Sequence, residues 1–308
     1  MTKTAFLFSG QGAQKLGMAR DLYDQYETVK ATFDEASQAL GYDLRALIDN
    51  DEEKLNETKY TQPAILTTSV AILRLLSENG IKPDLVAGLS LGEYSALVAS
   101  GIIDFQEAVK LVAKRGQYMT EAAPTGSGKM VAVMNTDPAL IEEICQKAAE
   151  FKGGIVSPAN YNTPAQIVIG GEVEAVDYAV ELLKEAGVRK LIELKVSGPF
   201  HTAILKPASE KLALELDKID FRPFELPLIS NTSAKVMEND EVKGLLKRQV
   251  MEPVRFYESV ETMQKLGATR FIEVGPGRVL SGFIKKIDKN AEIANVENLA
   301  SFEALINQ

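Results

Sequence analysis

Short apolar runs alternate with stretches of helical spacing along most of the chain. Thr4-Ala5-Phe6-Leu7-Phe8 is a compact run rich in aromatics, the pattern of a central parallel strand. It leads into a glycine-rich loop, Ser9-Gly10-Gln11-Gly12-Ala13-Gln14. Tyr23 to Leu47 carries helical spacing with acidic residues, and Asp49 to Lys59 reads as a polar connection. Thr61-Gln62-Pro63 predicts a helix start, with proline at the first helical position. Ile65, Leu66, Val70, Ile72, Leu73 and Leu76 cover much of that helix and predict burial, and Asn79-Gly80 ends it. Asp84 to Ala87 then predicts the end of a buried strand, and Glu93 to Ala99 a helix. Asp104-x-x-Glu107 predicts a capping box for the next helix, running to about Glu121.

From Gly126-Ser127-Gly128 the pattern changes. Met130 to Met134 reads as a strand and Pro138 to Glu150 as a helix. Ile155 to Ala159 and Gln166 to Ile169 read as strands joined by a loop, Asn160-Tyr161-Asn162-Thr163-Pro164. Val173 to Ala186 is helical, and Lys190 to Val196 alternates as a strand should. This β-α-β-β-α-β order is the ferredoxin-like unit, and Ser197-Gly198-Pro199 closes it. Residues 127–197 are therefore expected as a small domain inserted between residues 1–126 and 198–308. Beyond it, Pro207 to Leu216 predicts a helix, Leu226 to Ile229 a strand, and Ser230-Asn231-Thr232 a loop. Val242 to Val250 predicts a helix, Arg270 to Val274 a last parallel strand, and the region near Val279 a further helix start. The fold class expected is α/β: a parallel-sheet, α/β-hydrolase-like large domain carrying a ferredoxin-like insert.

Charge and composition narrow the functions this fold could serve. The 308 residues are 45% hydrophobic, enough for a sizeable core. Lys and Arg number 34 against 43 Asp and Glu, a net charge of −9, and no basic run is long, which argues against nucleic acid as the main partner. No apolar stretch approaches membrane-spanning length, and Ala5-Phe6-Leu7-Phe8 is too short for a signal-peptide core. A cytoplasmic protein away from membranes is expected. Cys145, the sole cysteine, cannot form an internal disulfide and sits in a helical pattern as a core or surface residue. The single histidine, His201, excludes a zinc site built on several histidines, and no metal is expected.

Candidate chemistry centres on Gly88-Leu89-Ser90-Leu91-Gly92. A G-x-S-x-G pattern between a strand and a helix is a nucleophile elbow, a sharp turn that exposes the serine hydroxyl at the sheet edge. Two other loops fail as phosphate binders: Lys15 stands where a dinucleotide loop needs its third glycine, and Met130 follows Gly128-Lys129 where a P-loop needs Ser or Thr. His201 lies just past a Gly-Pro turn at the expected domain joint, where clefts form. Arg115 falls inside an otherwise apolar helical face; by spacing alone, an arginine reaching out to water is the first reading and a site residue the second.

Phe8-Ser9-Gly10-Gln11-Gly12, the Gly88 to Glu93 elbow, Arg115, Pro199-Phe200-His201-Thr202 and Glu273-Val274-Gly275-Pro276-Gly277 together resemble the malonyl-CoA:acyl carrier protein transacylase family. The resemblance runs the length of the chain, insert included. It implies Ser90 as the nucleophile that takes the malonyl group and His201 as its base, oriented by the main-chain carbonyl of Gln249 rather than by a carboxylate. It further implies an oxyanion hole from the backbone N–H groups of Gln11 and Leu91, Arg115 as the partner of the malonyl carboxylate, and Gln62 and Asn160 as pocket residues. Phe200 resembles the malonyl-selective members, its bulk crowding an α-branched acyl group. Leu89 departs from the family, which usually carries histidine there.

The partners implied are malonyl-CoA, as substrate rather than cofactor, and acyl carrier protein; no metal or organic cofactor is implied, and a monomer is expected. Lys184, Arg189 and Lys190, or Lys206, Lys285 and Lys286, are candidate docking charges for an acidic carrier, although ordinary solvated charge is the first reading of each. A neutral histidine base predicts that acylation falls as pH drops through about 6.5, if that histidine is unperturbed. Two rivals remain at this point: a serine hydrolase, which would need an acidic third member or an equivalent acceptor, and a binding module that kept the fold without catalysis.

Overall fold

The computed structural model describes residues 2–307. Among these described residues, eight strands fall into two sheets. Lys3–Phe8 (β1) and Leu85–Gly88 (β2) precede the insert, Lys129–Met134 (β3), Val156–Thr163 (β4), Gln166–Gly171 (β5) and Leu191–Glu193 (β6) lie within it, and Ala268–Val274 (β7) and Glu292–Val296 (β8) follow it. The first sheet is parallel throughout, in the order β2-β1-β7-β8; the second is antiparallel, in the order β4-β5-β3-β6.

The unbroken apolar run of β1 follows from helices on both sheet faces. Phe6 and Phe8 enter a core with Leu66, Val70 and Val86, while the intervening Ala5 and Leu7 enter another with Phe256, Phe271 and Ile284. The insert has its own core, in which Val131, Val133, Ile167 and Ile169 meet Ile141, Ile144 and Val176 from its two helices. Cys145 is buried in that core.

Several elements differ from the sequence expectation. The buried helix begins at Thr58, so Pro63 lies inside it rather than at its first position. Asp104 occupies the N-cap of the Phe105–Ala122 helix but makes no cap bond, because its carboxylate pairs with Arg222 instead; the capping box does not form. Leu226 to Ile229 reaches the sheet only as a bridge, Leu228 beside Val86. An eighth strand, β8, follows the one expected to be last. The long helical stretch from Tyr23 is broken into Arg20–Gln25, Glu27–Leu40 and Leu44–Asn50.

The insert's second strand departs furthest. The residues expected to form a loop, Asn160 to Thr163, continue β4, paired to β5 through Asn160–Val168 and Tyr161–Ile167. Their other edge is taken by the large body: Tyr161 N–H donates to the Val254 carbonyl at 2.8 Å, and Val254 N–H to Ala159 at 2.9 Å. Polar residues hold a strand here because both backbone edges are satisfied from outside the segment.

Candidate active site

β2 ends at Gly88, and the next helix, Leu91–Ala99, begins directly after Ser90. Ser90 makes the turn at φ 55° and ψ −107°, a combination that residues with side chains seldom adopt. The tightness of the turn is set by β1, the strand adjacent to β2. A Cβ on Gly92 would stand 2.0 Å from the Phe8 carbonyl oxygen. On the other side of the serine, a Cβ on Gly10 would stand 2.3 Å from the Leu89 carbonyl oxygen, so the first loop lies directly on the elbow.

Ser90 Oγ is 2.7 Å from His201 Nε2, and His201 Nδ1 is 2.7 Å from the Gln249 main-chain oxygen. A carbonyl only accepts, so the Nδ1 atom carries the hydrogen and Nε2 is left to accept the serine proton. Burial, reinforced by the charge of Arg115, pushes the His201 pKa down to about 4. The assumption of an unperturbed histidine, on which the limb near 6.5 rested, therefore does not hold for this buried ring.

Arg115 does not reach water. It is 1% exposed, and its guanidinium donates from Nη1 to Gln62 Oε1 at 2.9 Å, from Nη2 to Gln249 Oε1 at 2.9 Å, and from Nη2 to Ser90 Oγ at 3.3 Å. Its Nε–H finds no partner, and the Tyr94 ring lies 5.2 Å from the guanidinium carbon. Burial pulls its pKa below the ordinary arginine value, opposed by Tyr94 and Glu93, yet a guanidinium keeps its charge at any working pH. Gln62 links this group to the first loop, its Nε2 lying 3.5 Å from Gln11 Oε1, while Gln11 Nε2 donates to Thr58 Oγ1 at 3.1 Å.

The backbone N–H of Leu91, first in its helix, and that of Gln11 have no hydrogen-bond acceptor among the described residues. Phe200 is buried beside His201 against Met119, Ala123 and Met130. Asn160 stands apart from this network. It is buried in β4, and its backbone is bridged to Val254, but its side chain makes no hydrogen bond to Ser90, His201 or Arg115. Lys184, Arg189, Lys190, Lys206, Lys285 and Lys286 are all exposed. Among the described residues, no helix is long and apolar enough to cross a membrane.

Two residues of the site were not singled out as site residues from the sequence. Glu93, fully buried, accepts from Gln249 Nε2 at 2.7 Å and from the Asn231 backbone N–H at 3.0 Å. Burial pushes its pKa up to about 7 against those donors. Asn231 accepts the Ser90 N–H at 2.7 Å and donates to the Gly88 carbonyl at 2.6 Å. Glu93 follows the elbow glycine and could have been suspected from that; Asn231 lies 141 residues from Ser90 in a loop with no pattern.

The arrangement suits nucleophilic acyl chemistry on a negatively charged acyl group: a serine and neutral histidine in contact, two amide donors without acceptors beside them, and a fixed cation against the hydroxyl. The acceptor behind the histidine is a main-chain carbonyl. The nearby buried carboxylate, Glu93, bonds other groups.

Comparison with known proteins agrees with this chemistry. The model of the acyl transferase domain family matches residues 5–302. The malonyl CoA-acyl carrier protein transacylase of Bacillus subtilis (strain 168) is 46% identical over 308 residues, covering 99% of this chain and 97% of its own. The crystal structure of MCAT from Streptococcus pneumoniae superposes with a TM-score of 0.97 at 67% identity, covering 99% of each chain. A malonyl-transacylase solved in complex with its type II PKS acyl-carrier protein superposes with a TM-score of 0.95 at 44% identity, covering 99% of each chain.

Proposed function

We propose a transfer reaction from a plain premise: the chain belongs to the acyl transferase family. On that premise it moves the malonyl group from malonyl-CoA to the phosphopantetheine thiol of acyl carrier protein, in fatty acid biosynthesis, by a ping-pong mechanism. Ser90 Oγ attacks the thioester carbonyl while His201 Nε2 takes the hydroxyl proton. The Leu91 and Gln11 N–H groups stabilise the oxyanion of the tetrahedral intermediate. Its collapse breaks the carbon–sulfur bond, and the imidazolium returns its proton to the departing coenzyme A sulfur, leaving a malonyl ester on Ser90. The carrier thiol then gives its proton to His201 and attacks that ester, and Ser90 regains a proton as the malonyl thioester leaves.

The observation that carries the malonyl assignment is the Arg115 guanidinium, held 3.3 Å from Ser90 Oγ at 1% exposure. A buried cation at this distance suits an acyl group with its own carboxylate and gives no advantage to a neutral one. Gln62 would hold that cation, Phe200 would narrow the pocket, Asn160 would line it from the insert, and Gln249 would orient His201. The same reading divides the chain into a large catalytic domain, 1–126 and 198–308, and a small domain, 127–197, supported by two sheets with separate cores. It also holds the protein to be a cytoplasmic monomer that uses no cofactor. The exposed basic residues of 184–190 or 206 with 285–286 would meet the carrier.

Intact-mass measurement after mixing with malonyl-CoA tests the reaction. A malonyl adduct on wild type and none on Ser90→Ala, persisting until carrier protein removes it, is the expected result. An adduct that decays at once to free malonate would make the protein a hydrolase, and none with any acyl-CoA would end the catalytic reading.

A further inference from the structure

Ser90 occupies a turn that neither neighbouring element can satisfy. The strand before it ends at Gly88 and the helix after it begins at Leu91. Its N–H therefore belongs to no ladder, and its φ of 55° needs something to hold it. One side chain meets both needs. Asn231, 1% exposed, accepts the Ser90 N–H through Oδ1 at 2.7 Å and donates through Nδ2 to the Gly88 carbonyl at 2.6 Å. Its amide thus stands in for a neighbouring peptide, pairing with backbone groups on both sides of residue 89. Asparagine suits this place because it carries a donor and an acceptor on one short arm; aspartate lacks the donor when ionised, and glutamine is a carbon longer.

Asn231 is itself fixed. Its backbone N–H donates to Glu93 Oε1 at 3.0 Å, and its carbonyl accepts from Arg255 N–H at 2.9 Å. The other oxygen of Glu93 accepts from Gln249 Nε2 at 2.7 Å, and that nitrogen also donates to the Ser90 carbonyl at 2.8 Å. The amide of Gln249 is thereby turned so that Oε1 faces Arg115, while its main-chain oxygen faces His201.

Resting on the reading of Ser90 as nucleophile, we propose that Asn231 is a positioning residue for catalysis: its amide clamps the elbow from Gly88 to Ser90 and aims the serine hydroxyl at His201, with Glu93 anchoring the clamp to the residue that orients the histidine. Asn231 touches neither Arg115 nor Gln62 by hydrogen bond, so the clamp acts on reactivity and leaves recognition of the malonyl carboxylate alone.

The test measures Ser90 phosphonylation by an alkyl fluorophosphonate, which reports nucleophile reactivity without any malonyl group, together with kcat and KM for malonyl-CoA. Since displacement of a reacting atom by about 1 Å costs about a hundredfold, Asn231→Ala should lose about that factor in phosphonylation and kcat, with KM within about threefold of wild type. Asn231→Asp is the sharper variant. Ionised, it cannot donate to Gly88; protonated, its O–H can donate while its other oxygen accepts the Ser90 N–H. Burial and the facing carbonyl favour the protonated form. Relative to wild type at each pH, Asn231→Asp should therefore be slow at pH 8 and recover at least tenfold at pH 5.5. Glu93, Arg115 and His201 are the charged or titratable groups around this clamp; a carboxylate at 231 would couple to Glu93, so the same ratio is also measured in a Glu93→Gln background, where Glu93 no longer titrates. Phosphonylation of Asn231→Ala within threefold of wild type overturns the proposal. So does an Asn231→Asp ratio that is the same at both pH values, which decides the matter even where the alanine variant fails to fold. Wild type that is phosphonylated on Ser90 but never malonylated would refute the transacylase reading alone. Wild-type Ser90 no more reactive than in His201→Ala would remove the nucleophile, and the clamp with it.

Discussion

Removing the Arg115 guanidinium separates what the site does for the carboxylate from what it does for the ester bond. In Arg115→Ala the serine, histidine and amide donors keep their backbone positions, but the cation 3.3 Å from Ser90 Oγ is gone. A hydrogen bond to a charged group is worth about 1.5–3 kcal/mol net, so loss of one such bond to malonate lowers malonyl preference about ten- to a hundredfold. Acetyl-CoA, which has no carboxylate, should lose little. Lysine is no substitute: it cannot present two parallel donors, and it would give up at least one of the bonds now made to Gln62 and Gln249. Arg115→Lys should fall between wild type and alanine. Gln62 and Gln249 would each lose a buried donor in the alanine variant, at about 1–3 kcal/mol apiece, so rates belong well below its unfolding transition. The assay is single-turnover acylation of Ser90 by malonyl-CoA and by acetyl-CoA, each as kcat/KM. A ratio of the two within threefold of wild type would refute the assignment and leave Arg115 as a structural ion.

Two further outcomes follow from the geometry. A His201 pKa of about 4 keeps roughly nine-tenths of the imidazole neutral at pH 5, against about 3% for an unperturbed histidine; the sign is that lowering pH protonates the base, so acylation should hold its rate through 6.5 and fall only near 4. A midpoint near 6.5 would contradict the buried base, while any step near 7 belongs to Glu93 and should vanish in Glu93→Gln. Gly92→Ala places a methyl 2.0 Å from the Phe8 carbonyl, backbone against backbone, where no rotamer change can relieve it; urea unfolding should show a loss of about 3 kcal/mol or more, and a loss under about 1 kcal/mol would mean that the elbow is looser than its contacts imply.

What the sequence made legible has a common cause. β1, β2 and the Thr58–Glu78 helix announce themselves because their apolar positions point at cores on the faces they must cover, and that pattern is local. The elbow shows because two glycines are forced by a close backbone approach. The insert's order of elements emerged for the same reason, since each element carries its own periodicity. Asn160 to Thr163 misled because their strand character comes from Val254 and β5, neither of which is nearby in sequence. Arg115 looked like a surface arginine because spacing records which residues are buried, not why a charge should be buried with them. His201 was placed by its turn, but its pKa depends on burial and on Arg115, which only the assembled site supplies.

The leucine before Ser90, the proposed nucleophile, becomes intelligible in these terms. Leu89 contributes to the turn through its backbone, its N–H donating to the Phe8 carbonyl at 3.1 Å and its carbonyl meeting Gly10. Its side chain packs against the apolar cluster that includes Ala5, Leu7 and Ala87. None of the hydrogen bonds that fix Ser90 passes through the residue 89 side chain. The N–H is held by Asn231, the carbonyl by Gln249, and the hydroxyl by His201 and Arg115. Four groups from outside the elbow thus determine the serine's position. A histidine at residue 89 would add a polar ring to an apolar contact without entering that set. The elbow tolerates leucine because what holds it lies on the other side of the turn.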